Sequence, residues 1–505
     1  MTQGSKDIDA LAKGGRTNIA GFVLRLLARL PFLFIAGRVY GPEIVGRFAL
    51  AVVVVELAAL IATLGLKRGL AQALSSADRP HAYVVWDAMA VAFVASILAS
   101  ALLFAFPQVM YPNSQILGHE RFLPCIVFAI AWSDVALAAL AYRHNVKAAV
   151  TARAVVEPWT ISGAALALSY VSPRDGLVIA YVISMAAALV ASLVPFIRSY
   201  GLPHGWRPKL GPLFALARRN MPLAGADAIE WGTRNVDRFI LGLMFAPTIV
   251  GIYYMAQQVS SLPLKLKTSF DPILGPVITS SLARNDKPAV AKQVRQVGFW
   301  IIAAQGGIAL MMSIPGEAVM GVIGPQFFAC TAALAFLLTA EVLAAQGAVS
   351  ESALVYLARH RNLAISLTML IFQIALSFAL IFAMRHEGWP TNYQAAGPAV
   401  ALMLSLGLTS VIKGALLSRL LGASVACWRW SLIGAAAIAA GVGGAFTALP
   451  HRFEWAELVF GVPAIAATYL IILWKWAFRP EDRTLFRKMP TGSEATLPNE
   501  GSTTR

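Results

Sequence analysis

Two arginines, Arg25 and Arg29, interrupt an otherwise apolar stretch running from Thr17 to Gly37. Four residues apart, they share one face of a helix. At the centre of a membrane span each costs roughly 2.5–3.5 kcal/mol, while Leu, Ile, Phe or Val each return about 0.3–0.6 kcal/mol. The stretch holds eleven such apolar residues. The sums nearly cancel, so this helix is marginal alone and its arginines call for a reason. Arg29 precedes Arg38, at the outer edge, by nine residues, which is ~13 Å of helix. In a hydrocarbon core of ~30 Å that is close to the midplane, where snorkelling serves poorly. Arg25 lies deeper from the outside and can reach the inner interface.

A second cationic pair, Arg234 and Arg238, occupies the apolar segment 221–243 with the same four-residue spacing. Permanently charged guanidinium forks match phosphate oxygens two at a time. Arg25, Arg29, Arg234 and Arg238 are therefore the candidate contacts for an anionic substrate, a phosphate or diphosphate above all. The bland reading is structural, because intramembrane charges usually pair. Glu230 and Asp237 stand four before and three after Arg234, and Asp227 is close by. No acid lies within a turn or two of Arg25 or Arg29, so their partner must come from another helix or from a ligand. Isolated carboxylates at Glu56 and Asp134 are either counter-ions or groups that couple ion flow to transport, and Glu230 and Asp237 join them as candidates for both roles. Lys265 and Lys267, near Pro263, Pro272 and Pro276, read as snorkelling lysines on a broken helix, or as a point of access for substrate from the cytoplasm. Lys413 is expected to snorkel.

Enzymatic signals are thin. His119-Glu120 lacks the second histidine of HExxH, and no phosphate-binding loop of the GxxxxGK[ST] type occurs. No catalytic residue, metal site or cofactor is expected. The three cysteines form no CxxC and no disulfide framework.

The elements that must hold these charges follow from composition. The 505 residues are 58% hydrophobic and 13% charged, with mean hydropathy +0.68; soluble domains carry about 25% charged residues. Runs such as Val84–Phe106, Phe122–Tyr142 and Leu363–Met384 reach the roughly 20 residues a spanning helix needs, and no strand-like alternation suggests a barrel. About fourteen spans are expected: 17–37, 47–66, 85–106, 122–142, 155–172, 177–197, 221–243, 249–276, 297–316, 329–356, 363–384, 396–416, 430–449 and 456–474. With the N-terminus inside, the Lys and Arg of the loops fall mostly on the cytoplasmic side. The exceptions are Arg38, Arg47, Arg121, Arg174, Arg385 and Arg452. That asymmetry predicts cytoplasmic termini, and it makes the formal charge of +16 topological rather than a sign of nucleic acid.

An internal repeat organises the spans. Shifted by 205 residues, Gly37, Pro42, Ile44, Val45 and Gly46 fall on Gly242, Pro247, Ile249, Val250 and Gly251, and Arg29 falls on Arg234. Six spans separate the copies, an even number, so the halves share one orientation and are related by an axis along the membrane normal. The fold expected is an all-α polytopic membrane protein of two parallel six-helix lobes. The N-lobe is 17–197 and the C-lobe 221–416, joined by a cytoplasmic linker, 198–220. A cytoplasmic segment, 1–16, precedes them; appended spans, 417–476, and a polar disordered tail, 477–505, follow. Under this duplication Arg29 and Arg234 face one another across the axis.

Several segments resemble a known family. Arg38-x-x-Gly-Pro-Glu-x-x-Gly-Arg-Phe-Ala-Leu-Ala, Asp237-Arg-Phe-Ile-Leu-Gly, Val250-Gly-Ile-Tyr-Tyr-Met-Ala, Ala152-Arg-Ala-Val-Val-Glu-Pro and Gly324-Pro-Gln-Phe-Phe are similar to the polysaccharide-export branch of the multidrug/oligosaccharidyl-lipid/polysaccharide flippase superfamily. The resemblance runs over most of 15–420. It implies an O-antigen, exopolysaccharide or lipopolysaccharide flippase of the bacterial inner membrane. Such a protein moves a polyprenyl-diphosphate-linked oligosaccharide by alternating access between two lobes. A polysaccharide polymerase and assembly proteins enter as candidate partners beside membrane lipids, and the four arginines would hold the diphosphate. Proton-coupled multidrug relatives often carry an acid in span one, which this chain lacks between Arg16 and Arg38. The rivals are a peptidoglycan lipid-precursor flippase, a multidrug antiporter, and, from another class, an intramembrane polysaccharide polymerase or ligase. The last usually needs a large outer loop, and the outer loops here are short.

Overall fold

The computed structural model describes residues 27–76, 79–116, 118–143, 145–267, 271–448, 454–479 and 482. Arg25, the segment 1–16 and the tail beyond 482 lie outside the described residues. Lys265 and Lys267 close the helix Pro247–Lys267, and their side chains also lie outside the described part.

Every regular element among the described residues is helical. Backbone in hydrocarbon must satisfy its own hydrogen bonds, and helices do so within one segment. Each of the fourteen expected spans has a helical counterpart, and among the described residues ten candidate spans are long and apolar enough to cross a membrane. The first, Leu27–Ser75, takes in spans one and two together with the short helix Leu66–Ser75. Spans five, seven and eight fall outside the ten. Span five is a π-turn, Thr151–Val156, followed by the short helix Glu157–Ser169. Span seven, Leu210–Met244, is laden with charge, and span eight, Pro247–Lys267, is rich in Gln and Ser.

Two boundaries differ from expectation. Span seven starts at Leu210 rather than 221, because Leu213, Leu216 and Ala217 of the presumed linker pack against the N-lobe core. Span eight ends at Lys267, and a separate helix, Asp271–Ala283, follows. The repeat accounts for the second difference. Leu66, which opens the short helix after span two, falls on Asp271 under the same 205-residue shift.

Two faces of the bundle can be distinguished: a basic face, carrying the arginine- and lysine-rich loops, and the opposite face. Towards the opposite face one continuous core takes side chains from both lobes, among them Phe48, Val53, Tyr181, Tyr253, Phe327 and Leu338. Towards the basic face the core divides. One part holds Leu70, Met89, Leu140 and Phe196 of the N-lobe; the other joins Val294, Phe299 and Leu417 to the appended spans through Leu432, Tyr469 and Leu473. The hydrophobic core is thus shared by the lobes at one face and divided at the other, where span seven still packs on the short helix Leu66–Ser75.

The shared face has the symmetry of the repeat. A Cβ placed on Gly46 would collide with the carbonyl oxygen of Pro247, and one on Gly251 with that of Pro42. Since 42 and 46 map onto 247 and 251, the two turns meet each other by the same surface, as a two-fold contact requires. Side-chain amides extend the pattern. Asn113 donates to the carbonyl of Gly242 at 2.8 Å and Gln326 to that of Gly37 at 3.0 Å, and Gly37 maps onto Gly242. Arg38 adds bonds to the carbonyls of Val322 and Gly321 at 3.1 and 3.3 Å.

Candidate functional site

A cavity of about 680 Å³ is set mostly in the N-lobe and is closed by span seven through Trp231. It runs from Lys67 and Ala149 near the basic face to Arg29, Glu56 and Tyr181 deeper in, with Trp231 of span seven on its far wall. Its charged lining is balanced: Arg29, Lys67 and Arg153 against Glu56, Asp134 and Glu157.

Arg153 is placed by the backbone of span five. Pro158 has no N–H, so the carbonyl of Ala154 loses its partner four residues on, and the chain widens into the π-turn Thr151–Val156. Ser184 of span six donates to the Glu157 carbonyl at 2.8 Å and fixes the turn. From it the Arg153 guanidinium reaches Asp134 Oδ1 through Nη2 at 2.5 Å and Glu157 Oε2 through Nη1 at 2.9 Å. Lys67 Nζ stands 3.3 Å from the other Asp134 oxygen. Arg153 and Glu157 are each about 30% exposed and Asp134 about 14%, so the cluster faces the cavity.

Glu56 and Arg29 form a contrasting pair. Both are half-buried, and among the described residues neither makes a hydrogen bond or ion pair.

The span-seven charges are distributed otherwise than the helical spacing suggests. Arg234 does not pair with Glu230 or Asp237; its guanidinium donates to Glu341 of span ten. Glu230 and Asp227 both go to Arg68 of the short helix Leu66–Ser75, at 2.5 and 2.8 Å. Asp237 is wholly buried and held by neutral donors, Tyr253 Oη at 2.6 Å and Gln257 Nε2 at 3.2 and 3.3 Å, besides the Arg238 backbone N–H at 2.8 Å. Arg238 is buried, donates to Asn235 and lies over the Tyr254 ring, 5.4 Å from its centroid. Of the arginines expected to meet across the axis, Arg29 lines the cavity and Arg234 belongs to a C-lobe ion pair. Lys413 does not snorkel: it is 2% exposed, 3.0 Å from Glu351 and 2.9 Å from Ser366.

Sequence reasoning missed Lys67, Arg153 and Glu157. Arg153 fell two residues outside the span drawn at 155–172. The readable signal was the pair Arg153–Glu157 at i,i+4 immediately before Pro158. Among the described residues no group of three or more His, Cys, Asp or Glu could hold a metal ion.

Residues 35–331 match the family profile described as polysaccharide biosynthesis protein. The chain belongs to this family. Its fold is similar to that of solved MOP superfamily transporters. An inward-facing multidrug resistance MATE family transporter of that superfamily aligns with a TM-score of 0.63 at 14% identity, over 79% of this chain and 95% of its own. An outward-facing form of such a transporter aligns at 0.53 and 14%, over 83% and 99%. A MOP superfamily transporter from Pyrococcus furiosus, whose binding pocket is described as of reverse polarity and suggestive of a different function, aligns at 0.52 and 13%, over 83% and 96%. None of the curated proteins matches the chain. The polysaccharide biosynthesis family member is thus an all-α, multi-pass membrane protein with a transporter's architecture.

Proposed function

We propose that the protein is a flippase for a polyprenyl-diphosphate-linked oligosaccharide. It would work in the inner membrane of a bacterium by alternating access, with the basic face and both termini in the cytoplasm. The observation that carries this reading is the cavity wall. Arg29, a guanidinium with no protein partner among the described residues, lines a space that also holds Arg153 and Lys67. A half-buried charge in a membrane span is costly without a partner, and a phosphate head supplies what Arg29 lacks. Family membership supports the sugar-bearing cargo. The divided core of the basic half supports loading from that side, and the shared core of the opposite half must open for release. Glu56 is the proposed coupling acid, since it lines the cavity with no hydrogen bond or ion pair among the described residues.

One observation favours a second reading. Three carboxylates line the same cavity, as a cation antiporter would want, and the aligned MATE structures belong to multidrug transporters. The two readings part on one experiment. A strain lacking the protein, with no redundant flippase, should accumulate unexported lipid-linked oligosaccharide. Wild-type protein should clear it and Arg29→Ala should not. Normal surface glycan without accumulation, together with new sensitivity to cationic drugs, would decide for the antiporter.

A further inference from the structure

The charge balance of the cavity poses a problem for any anionic cargo. Three cations face three carboxylates, so a head bearing two negative charges meets no net attraction. Arg29 is open to it, but Arg153 is already engaged, by Asp134 at 2.5 Å and Glu157 at 2.9 Å. We propose that Asp134 and Glu157 are built-in competitors of the cargo phosphate for the Arg153 guanidinium. Arg153 is then the switched contact of the cavity, held by its own carboxylates when the site is empty and by phosphate when it is loaded. This rests on the diphosphate reading above.

Three features of the site support the exchange. The guanidinium uses one bond from each of Nη1 and Nη2, leaving three of its five N–H donors unused among the described residues. A phosphate oxygen can therefore be engaged before the carboxylates let go. The carboxylates do not depend on Arg153 alone, because Asp134 keeps Lys67 at 3.3 Å and Glu157 is 30% exposed to the cavity. The competitors are also fixed while the arginine is long. Glu157 sits on the turn pinned by Ser184, and Asp134 on the regular helix Ile126–Tyr142. Release follows from the same geometry. Arg29 and the cluster share the N-lobe, so when the lobes rearrange and Trp231 leaves the cavity wall, Asp134 and Glu157 recapture Arg153 and the head loses its second contact.

The test turns on a sign. Full-length protein in nanodiscs is titrated with farnesyl diphosphate, which carries the head and a short lipid but no sugar. Wild type should bind. Arg153→Ala should weaken binding tenfold or more, and Arg153→Lys, which keeps the charge but loses the fork, should fall between. Glu157→Gln and Asp134→Asn should each bind about tenfold more tightly, since a competing charge a few ångströms away has gone, and in cells both should export more slowly because release is impaired. A purely structural cluster predicts the reverse, with all these variants weakened together. If Glu157→Gln and Asp134→Asn bind as wild type or worse while wild type binds well, the competition is overturned and the diphosphate cargo stands. If wild type fails to bind farnesyl diphosphate, both fall.

Discussion

Arg29 and Arg234 occupy matching places in the repeat, yet their surroundings divide them. Arg234 donates to Glu341, whose side chain is 9% exposed, and breaking a buried pair typically costs about 3–5 kcal/mol. Arg234→Ala is expected to lower thermal stability in detergent by that order. Arg29→Ala, which breaks no ion pair among the described residues, should melt within a degree or two of wild type and still abolish export. Equal melting losses in the two variants would remove the distinction. Lys413 gives a companion case. Glu351→Gln strands an ammonium whose side chain is 3% exposed, whereas Lys413→Met leaves a carboxylate that is 41% exposed and can reach water. The glutamine variant should therefore be the less stable of the two. What the sequence made legible at this scale was that buried charges exist. It could not say which helix supplies each partner, because Glu341 lies 107 residues from Arg234 and helical spacing offers nearer acids at Glu230 and Asp237.

The elements were read most securely where the chain repeats itself. Glycine and proline at Gly37, Pro42 and Gly46 hold one register with Gly242, Pro247 and Gly251, and those residues turn out to make the contact between lobes. The requirement is steric on both sides, so it survived duplication. Span boundaries were less legible where tertiary packing decides them: Leu213 and Leu216 look like linker until an N-lobe surface is there to cover them. The π-turn of span five was out of reach of periodicity, since it comes from one missing N–H and one serine on another span. The glycine contact makes a prediction. In Gly46→Ala or Gly251→Ala the new methyl meets a backbone carbonyl, and overpacking of this kind typically costs 1–3 kcal/mol. That cost falls only on the state in which the opposite face is closed. Either variant should shift the population towards opening at that face, measured as faster alkylation of a cysteine introduced at Ala49, which is buried in the shared core. Unchanged alkylation would mean that the turns part little during the cycle.

At the scale of the molecule, one core shared by both lobes at one face and two separate cores at the other define a single conformational state. The repeat could anticipate two lobes but not which ends meet, because the contacts that join them lie far apart in sequence. The appended spans became part of the C-lobe through contacts equally invisible in sequence. Arg429 binds Asp482 at 2.5 Å and the carbonyl of Ala477 at 2.7 Å, with its guanidinium 3.7 Å from the centroid of the Phe299 ring. If transport alternates between this state and its opposite, the amide latches must break in every cycle. Asn113 lies within hydrogen-bond distance of the carbonyls of both Gly242 and Leu243, so cysteines at 113 and 243 should be joined by a short bifunctional methanethiosulfonate. The background is favourable. Cys125 is exposed and is replaced by serine, Cys330 is buried, and burial pushes the Cys427 thiol up to about 12, which keeps it silent at neutral pH. Cross-linking should stop export, and reduction should restore it. A cross-linked 113–243 protein that still exported would show that this face need not open, and alternating access across it would have to be abandoned.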